Sequence, residues 1–357
     1  MDALRELGLF ESRDVLTRRF ERAHNRTPNA TKCRQIVANL MQGRQYWDSA
    51  SQAGDLIKPL LLYYGALSFC RSLILFSRVG GGEETLSKSH GLQTSDWGPR
   101  FGRDGVRAVL DFTVTVSTGT MTELAAATKG SEVSRMYVGP YPSYRNFIRV
   151  GDPNQLAGVS VSLREALRRV PELAAAYEEV TGNRSAAYPV IPFKLGDFEI
   201  DLNVLRTERG PADWSYLRND IGIPAGLPIE IGMNSVFGQS MHTARIRTPP
   251  SVEPEWLFSR LALDTSEKSW LIGSISGNQS WNQLTVMFAI AFFLGMLVRY
   301  HPTIWLEINS QSRGDEVLPL LREAKLVVEE TLPKLVLQHF ELLIDRVIPP
   351  PATAAPG

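Results

Sequence analysis

Cysteine is scarce in this chain: Cys33 and Cys70 are the only two. Each sits in an apolar, helix-like stretch without a partner at metal-ligand spacing. The pair therefore reads as reduced, packed thiols in a reducing compartment, not as a disulfide framework or a zinc site. Net charge is lacking as well, since Lys+Arg and Asp+Glu each number 38. That balance gives no support to non-specific nucleic-acid binding, which draws on a basic surplus. Lysine is sparse and most of the basic charge is arginine. Arginine suits bidentate contact with anions, but composition assigns no such contact. Long apolar runs are missing too. The longest, Thr285 to Val298, has about 14 residues where a membrane span needs ~20, so a buried core helix is expected. The first residues, Met1 to Glu6, carry acids early and lack a basic-then-apolar leader pattern. A cytoplasmic protein, neither exported nor inserted in a membrane, is the expectation.

Catalytic signatures are equally thin. Gly80-Gly81-Gly82 is not followed by Gly-Lys-Ser/Thr, so it is no phosphate-binding P-loop, and no G-x-G-x-x-G opens a helix. Gly273-Ser274-Ile275-Ser276-Gly277 has isoleucine where a nucleophile elbow needs serine. No His-Glu-x-x-His or Cys-x-x-Cys appears, so no metal site and no cofactor is expected. Asp197, Glu199 and Asp201 alternate along one predicted strand and could hold Mg²⁺, but with no lysine at the expected position a solvated sheet face is the default.

What is present is an ordinary globular composition, 43% hydrophobic and 21% charged, over 357 residues. Leu4, Leu7, Phe10, Leu16 and Phe20 recur at roughly helical spacing. Thr27 before Pro28 suggests the cap of a second helix running through Ile36 and Leu40 to about Ala53. A third helix from near Ile57 to Ser77 is apolar on almost every face, the mark of a central bundle helix. The middle changes character. Strands are expected over Val106–Val116, 136–138, 147–150, 188–193, 198–204, 244–247 and 270–275. An amphipathic helix is expected from Val161 to Thr181, closed by Gly182. Beyond Trp281 the chain reads as helical again. The expected fold class is α+β. A mainly helical lobe comes from both chain ends, residues 1–105 with 280–348. A mixed α/β insertion spans 106–279, and 349–357 is a disordered tail.

One segment is distinctive: Tyr46-Trp47-Asp48-Ser49-Ala50, then Ile57-Lys58-Pro59-Leu60-Leu61-Leu62-Tyr63-Tyr64-Gly65. Ser89-His90-Gly91-Leu92 and Leu297-Val298-Arg299-Tyr300-His301-Pro302-Thr303-Ile304-Trp305 add to it. Together they resemble the YaaC-like family of bacterial proteins over most of the chain. The resemblance implies a bacterial, cytoplasmic setting and no particular reaction.

Three functional expectations follow. The first is a non-catalytic binding or scaffolding protein with a protein partner or a second copy of the chain. The second is a metal-independent ribonuclease of the HEPN type in stress or phage defence. Arg19, with Arg18 beside it, would stabilise phosphate charge, and His24, five residues on, would act as acid or base; surface or capping roles are the default for both. The third is nucleotide or anion binding by Lys58, Tyr64, Arg71 and His90. Lys58 and Arg71 are charges in an otherwise apolar helix, so they must be paired or face a cavity. His90 lies in a polar loop beside a glycine that lets backbone approach a ligand. The third expectation requires Lys58, Arg71 and His90 to converge.

Overall fold

The computed structural model describes residues 3–94, 97–138, 144–149, 151–195, 199–205, 214–249, 260–275 and 281–344. Four helices come first: α1 (Ala3–Leu9), α2 (Arg13–His24), α3 (Ala30–Gln52) and α4 (Lys58–Ser77). Ser12 caps α2 through the backbone N–H of Val15. The cap of α3 is Asn29, which accepts from the Lys32 N–H at 2.8 Å, and not Thr27. Asn29 is extended and its side chain reaches the amide of the third helical residue, in the first turn. The hydroxyl of Thr27 goes instead to the Glu21 carboxylate. Pro59 sits in the first turn of α4, where a missing N–H costs nothing.

The middle of the chain follows as α5 (Trp97–Asp104), α6 (Thr120–Thr128), α7 (Leu163–Leu167), α8 (Ala174–Thr181) and α9 (Ser215–Asn219), among twelve strands in the described residues. Strands β1 (Leu92–Thr94), β2 (Thr113–Val116) and β5 (Ser160–Ser162) form one antiparallel sheet. A six-stranded sheet has the order β4-β3-β7-β8-β10-β9, where β3 is Ser131–Val138, β4 Tyr144–Arg149, β7 Ile191–Lys194, β8 Glu199–Leu205, β9 Ile229–Val236 and β10 Gln239–Arg247. Among the described strand pairs only β3 and β7 run parallel. A third sheet joins β11 (Leu261–Leu263), β12 (Ser269–Ile272) and β6 (Ala187–Pro189). The fold is α+β.

Several local expectations are corrected. Val106–Asp111 is 3₁₀ helix, and only Thr113–Val116 is strand. The long helix expected over 161–181 is two helices, because Pro171 has no N–H to continue the first and opens a 3₁₀ turn. Gly182, left-handed at φ 66°, ends the second as expected. Glu199 and Asp201 do not face solvent alone. Arg245 grips Asp201 with two bonds of 2.7 and 2.8 Å, and Arg247 reaches Glu199, so these carboxylates are consumed by cross-strand pairing. Asp197, the prolines at 140 and 142, and the tail 349–357 lie outside the described residues.

The last described helices are two long ones, α10 (Gln283–Tyr300) and α12 (Leu318–Ile344), with the short α11 (Pro302–Asn309) between them. The larger hydrophobic core unites α1–α4, α10 and α12 with residues from 86 to 177. Much of the stretch read as insertion, including Phe112, Met121 and Leu163, thus packs with the helices. A smaller core lies between the sheets and α9, built on Ile200, Leu202, Leu217, Ala244 and Ile246. Helices α4 and α10 are long and apolar enough to cross a membrane, yet both are largely buried inside this core. Glycines set how closely the core helices approach. A Cβ on Gly65 would lie 2.6 Å from the Trp47 ring, and one on Gly295 would lie 2.7 Å from Tyr63 Cβ. Gly295 thereby lets α10 press onto α4 where Tyr63 stands.

Candidate functional site

Tyr63 is wholly buried in α4, with Phe292 of α10 edge-on to its ring at 5.5 Å. Its hydroxyl meets His90 Nδ1 at 2.6 Å. His90 is held by its own backbone. The carbonyls of Ser89, His90 and Gly91 accept from the N–H groups of Thr120, Met121 and Ser117 at 3.0, 3.1 and 2.9 Å. The loop is therefore docked on the start of α6. Gly91 is left-handed at φ 76°, and a Cβ there would strike the Met121 nitrogen at 2.8 Å, so glycine is required.

Two arginines complete the cluster. Arg299, at the end of α10, donates to the Tyr64 hydroxyl at 3.1 Å and lies over the Tyr300 ring at 5.0 Å. Tyr46 of α3 stacks on Tyr64 at 5.6 Å. Arg71 stands two turns beyond Tyr64 on the same stripe of α4, half-buried, and makes no hydrogen bond or ion pair among the described residues. Neither arginine has a carboxylate within ion-pair distance among the described residues. Burial first, then Arg299 and Arg71, pull the His90 pKa down, which keeps the imidazole neutral at neutral pH. Burial pushes the Tyr63 hydroxyl up, and Tyr64 adds to the effect, so that phenol keeps its proton.

Of Lys58, Arg71 and His90, Arg71 acts electrostatically on His90, and Lys58 is engaged elsewhere. Lys58 turns away to an ion pair with Glu329 of α12 at 2.6 Å, both side chains largely buried. The same Glu329 offers its carbonyl to Trp47 Nε1 at 3.0 Å. Next to this pair, Lys325 bonds Asp55, whose carbonyl accepts from Trp305 Nε1 at 3.1 Å. Lys58 is one of the rivets fastening α4 to α12.

Arg19 and His24 are not brought together. The Arg19 guanidinium lies 4.1 Å above the Phe10 ring. The His24 ring packs on Phe20 at 4.3 Å, and its Nε2 contacts the Phe76 carbonyl at 2.7 Å. Arg18, Arg19 and Arg22 line a groove of about 320 Å³ with Glu6 and Glu341, and His24 is not part of its lining. Five positions on a helix separate two side chains by about 140°, which is the physical reason for the divergence.

The sequence alone does not single out Arg299, because a cation in the last turn of a helix complements the helix dipole wherever it occurs. The Arg-Tyr-His run was the available signal, but nothing in one sequence places it against α4. Three separated segments, 57–65, 89–92 and 297–305, meet here through Tyr63–His90 and Tyr64–Arg299. A family model for YaaC-like proteins matches residues 10–340. The chain belongs to the YaaC-like family. No curated protein and no solved structure matches it. The three motifs that carried the resemblance to YaaC-like proteins are thus the segments that build this cluster.

Proposed function

We propose that this YaaC-like protein is a cytoplasmic, non-catalytic binding protein that takes a small oxyanion-bearing ligand at the Tyr64–Arg71–His90–Arg299 cluster. The observation that carries the reading is the pair of arginines, Arg71 and Arg299, set beside one imidazole with no carboxylate among the described residues to neutralise them. Guanidinium groups match phosphate and carboxylate oxygens two bonds at a time. The Tyr64 hydroxyl already orients Arg299, and Tyr63 fixes the plane of His90, so the donors are arranged before a ligand arrives. Tyr63 stays protonated and supports the imidazole, which favours binding over chemistry. The reducing compartment accords with two buried free thiols.

Calorimetric titration with inorganic phosphate, pyrophosphate and ADP tests this. Wild type is expected to bind at least one of the three. Arg71→Met and Arg299→Met should each weaken that binding by about ten-fold or more, the worth of a charge-assisted contact of ~1.5–3 kcal/mol. Binding that survives both substitutions, or no binding of any of the three, sinks the proposal.

A further inference from the structure

Arg260 immediately precedes β11, and its carbonyl accepts from the Ile272 N–H at 2.7 Å, closing the β11–β12 hairpin. Its side chain turns inward and the residue keeps 7% of its surface. The Nε has no accessible surface and no partner. The guanidinium as a whole makes no hydrogen bond or ion pair among the described residues. An arginine cannot shed its proton to escape burial, so a guanidinium whose Nε is buried without a partner carries an uncompensated cost.

Among the described residues the charge acting on Arg260 is another arginine. Arg169, also buried, follows α7. Its Nε donates to the Gly273 carbonyl at 3.0 Å and its Nη2 to the Ser274 carbonyl. Its Nη1 reaches the Glu165 carboxylate at 2.7 Å, and Asp220 is a further acid on its side. Arg169 is thus fastened and partly neutralised, whereas Arg260 is neither. The buried carboxylate of Glu132, on β3, is taken by the N–H groups of Gln283 and Val133. Burial and Arg169 together draw the Arg260 pKa down to about 10, the electrostatic sign of a missing counter-charge.

We infer that Arg260, with Arg169 behind it, forms a second binding site for an oxyanion of phosphate type, which on binding supplies the counter-charge and ties the β11–β12 hairpin to the helical body. The site is separate from the proposed ligand cluster. Gln283, whose side chain donates to the Arg169 carbonyl at 3.1 Å, opens α10, and Arg299 is near its end. Sixteen helical steps put about 24 Å between those two positions. The inference does not rest on the function proposed above.

Thermal melting of the Arg71→Met/Arg299→Met protein tests it without a contribution from the first cluster. Buffers contain increasing inorganic phosphate, balanced with chloride to constant ionic strength. The melting temperature is expected to rise by several degrees and to saturate. Adding Arg260→Met should abolish that rise, and in phosphate-free buffer this variant should melt at or above its parent, because a buried unpaired charge has gone. Arg260→Lys keeps the charge without the fork and should retain a weaker response, which guards against a variant that merely misfolds. No saturable rise in the parent, a rise that persists with Arg260→Met, or an Arg260→Met protein that melts lower without phosphate would each overturn the inference.

Discussion

Two buried titratable groups pull the stability of this protein in opposite directions with pH. Glu132 is buried in β3 and accepts from the N–H groups of Gln283 and Val133 at 2.5 and 3.1 Å. Those bonds favour the carboxylate, but burial outweighs them and raises its pKa from 4.5 to about 7. His339 of α12 is fully buried, both ring nitrogens lack a partner, and burial lowers its pKa from 6.5 to about 4. For Glu132 the native state holds a proton that the unfolded chain has lost. Stability therefore falls as pH rises from 4.5 towards 7. For His339 the unfolded chain gains a proton that the native state refuses, so stability falls as pH drops from 6.5 towards 4. Each contribution integrates to about 3 kcal/mol at ~1.4 kcal/mol per tenfold change in proton affinity. In wild type the two nearly cancel between about pH 4.5 and 6.5, and a flat profile conceals both. Urea unfolding followed by circular dichroism at half-unit steps from pH 4.5 to 8 separates them. Glu132→Gln should become acid-labile, with His339 unopposed. His339→Leu should lose about 3 kcal/mol on going from pH 4.5 to 7. Either variant also shifts its whole curve, since Gln accepts at one oxygen only and leucine repacks the core, so the slope is the quantity to read. Three parallel profiles would refute the reasoning.

Two further outcomes are expected. Gly295→Ala places a methyl against Tyr63 Cβ and should cost about 1–3 kcal/mol by overpacking; Tyr63 would be pushed from His90, seen as a change in the His90 ring resonances on pH titration. Unchanged stability and an unchanged His90 titration would show that α10 can yield there. Lys58→Met strands the Glu329 carboxylate and should destabilise by about 2–3 kcal/mol, while Lys58→Met/Glu329→Leu should recover most of that. A double variant no better than the single, by urea unfolding, would mean that the pair does not act as one.

Local signals were legible in the chain where one residue decides the outcome. Gly182 ends α8, Pro59 and Pro302 open α4 and α11, and the largely apolar text of 58–77 and 284–298 announces the two central helices. Legibility failed where neighbours compete. Asn29 took the cap that Thr27 could have filled, and Pro171 overrode an amphipathic period that otherwise runs from 163 to 177. Strand β9 went unread although Ile229, Ile231 and Met233 alternate with Glu230 and Gly232; it is largely exposed and is held by its register with β10. In the candidate site, Tyr64, Arg71 and His90 stood out as polar groups in apolar or glycine-rich surroundings. Arg299 did not, because a cation at a helix end is ordinary until the partner helix is known.

By itself the sequence determined the α+β class, the helices at both ends of the chain, the buried character of α4 and α10, and the family. Those properties follow from periodicity, backbone-specific residues and composition, which act over a few positions. Only the tertiary structure decided that Lys58 is paired while Arg71 is not, that His24 bonds a carbonyl instead of facing Arg19, and that Arg260 is buried without a counter-charge. Whether a charge is satisfied depends on what lies within about 4 Å in space. In a chain that brings residue 58 to 329, and 169 to 260, that distance is set by packing and not by spacing along the sequence.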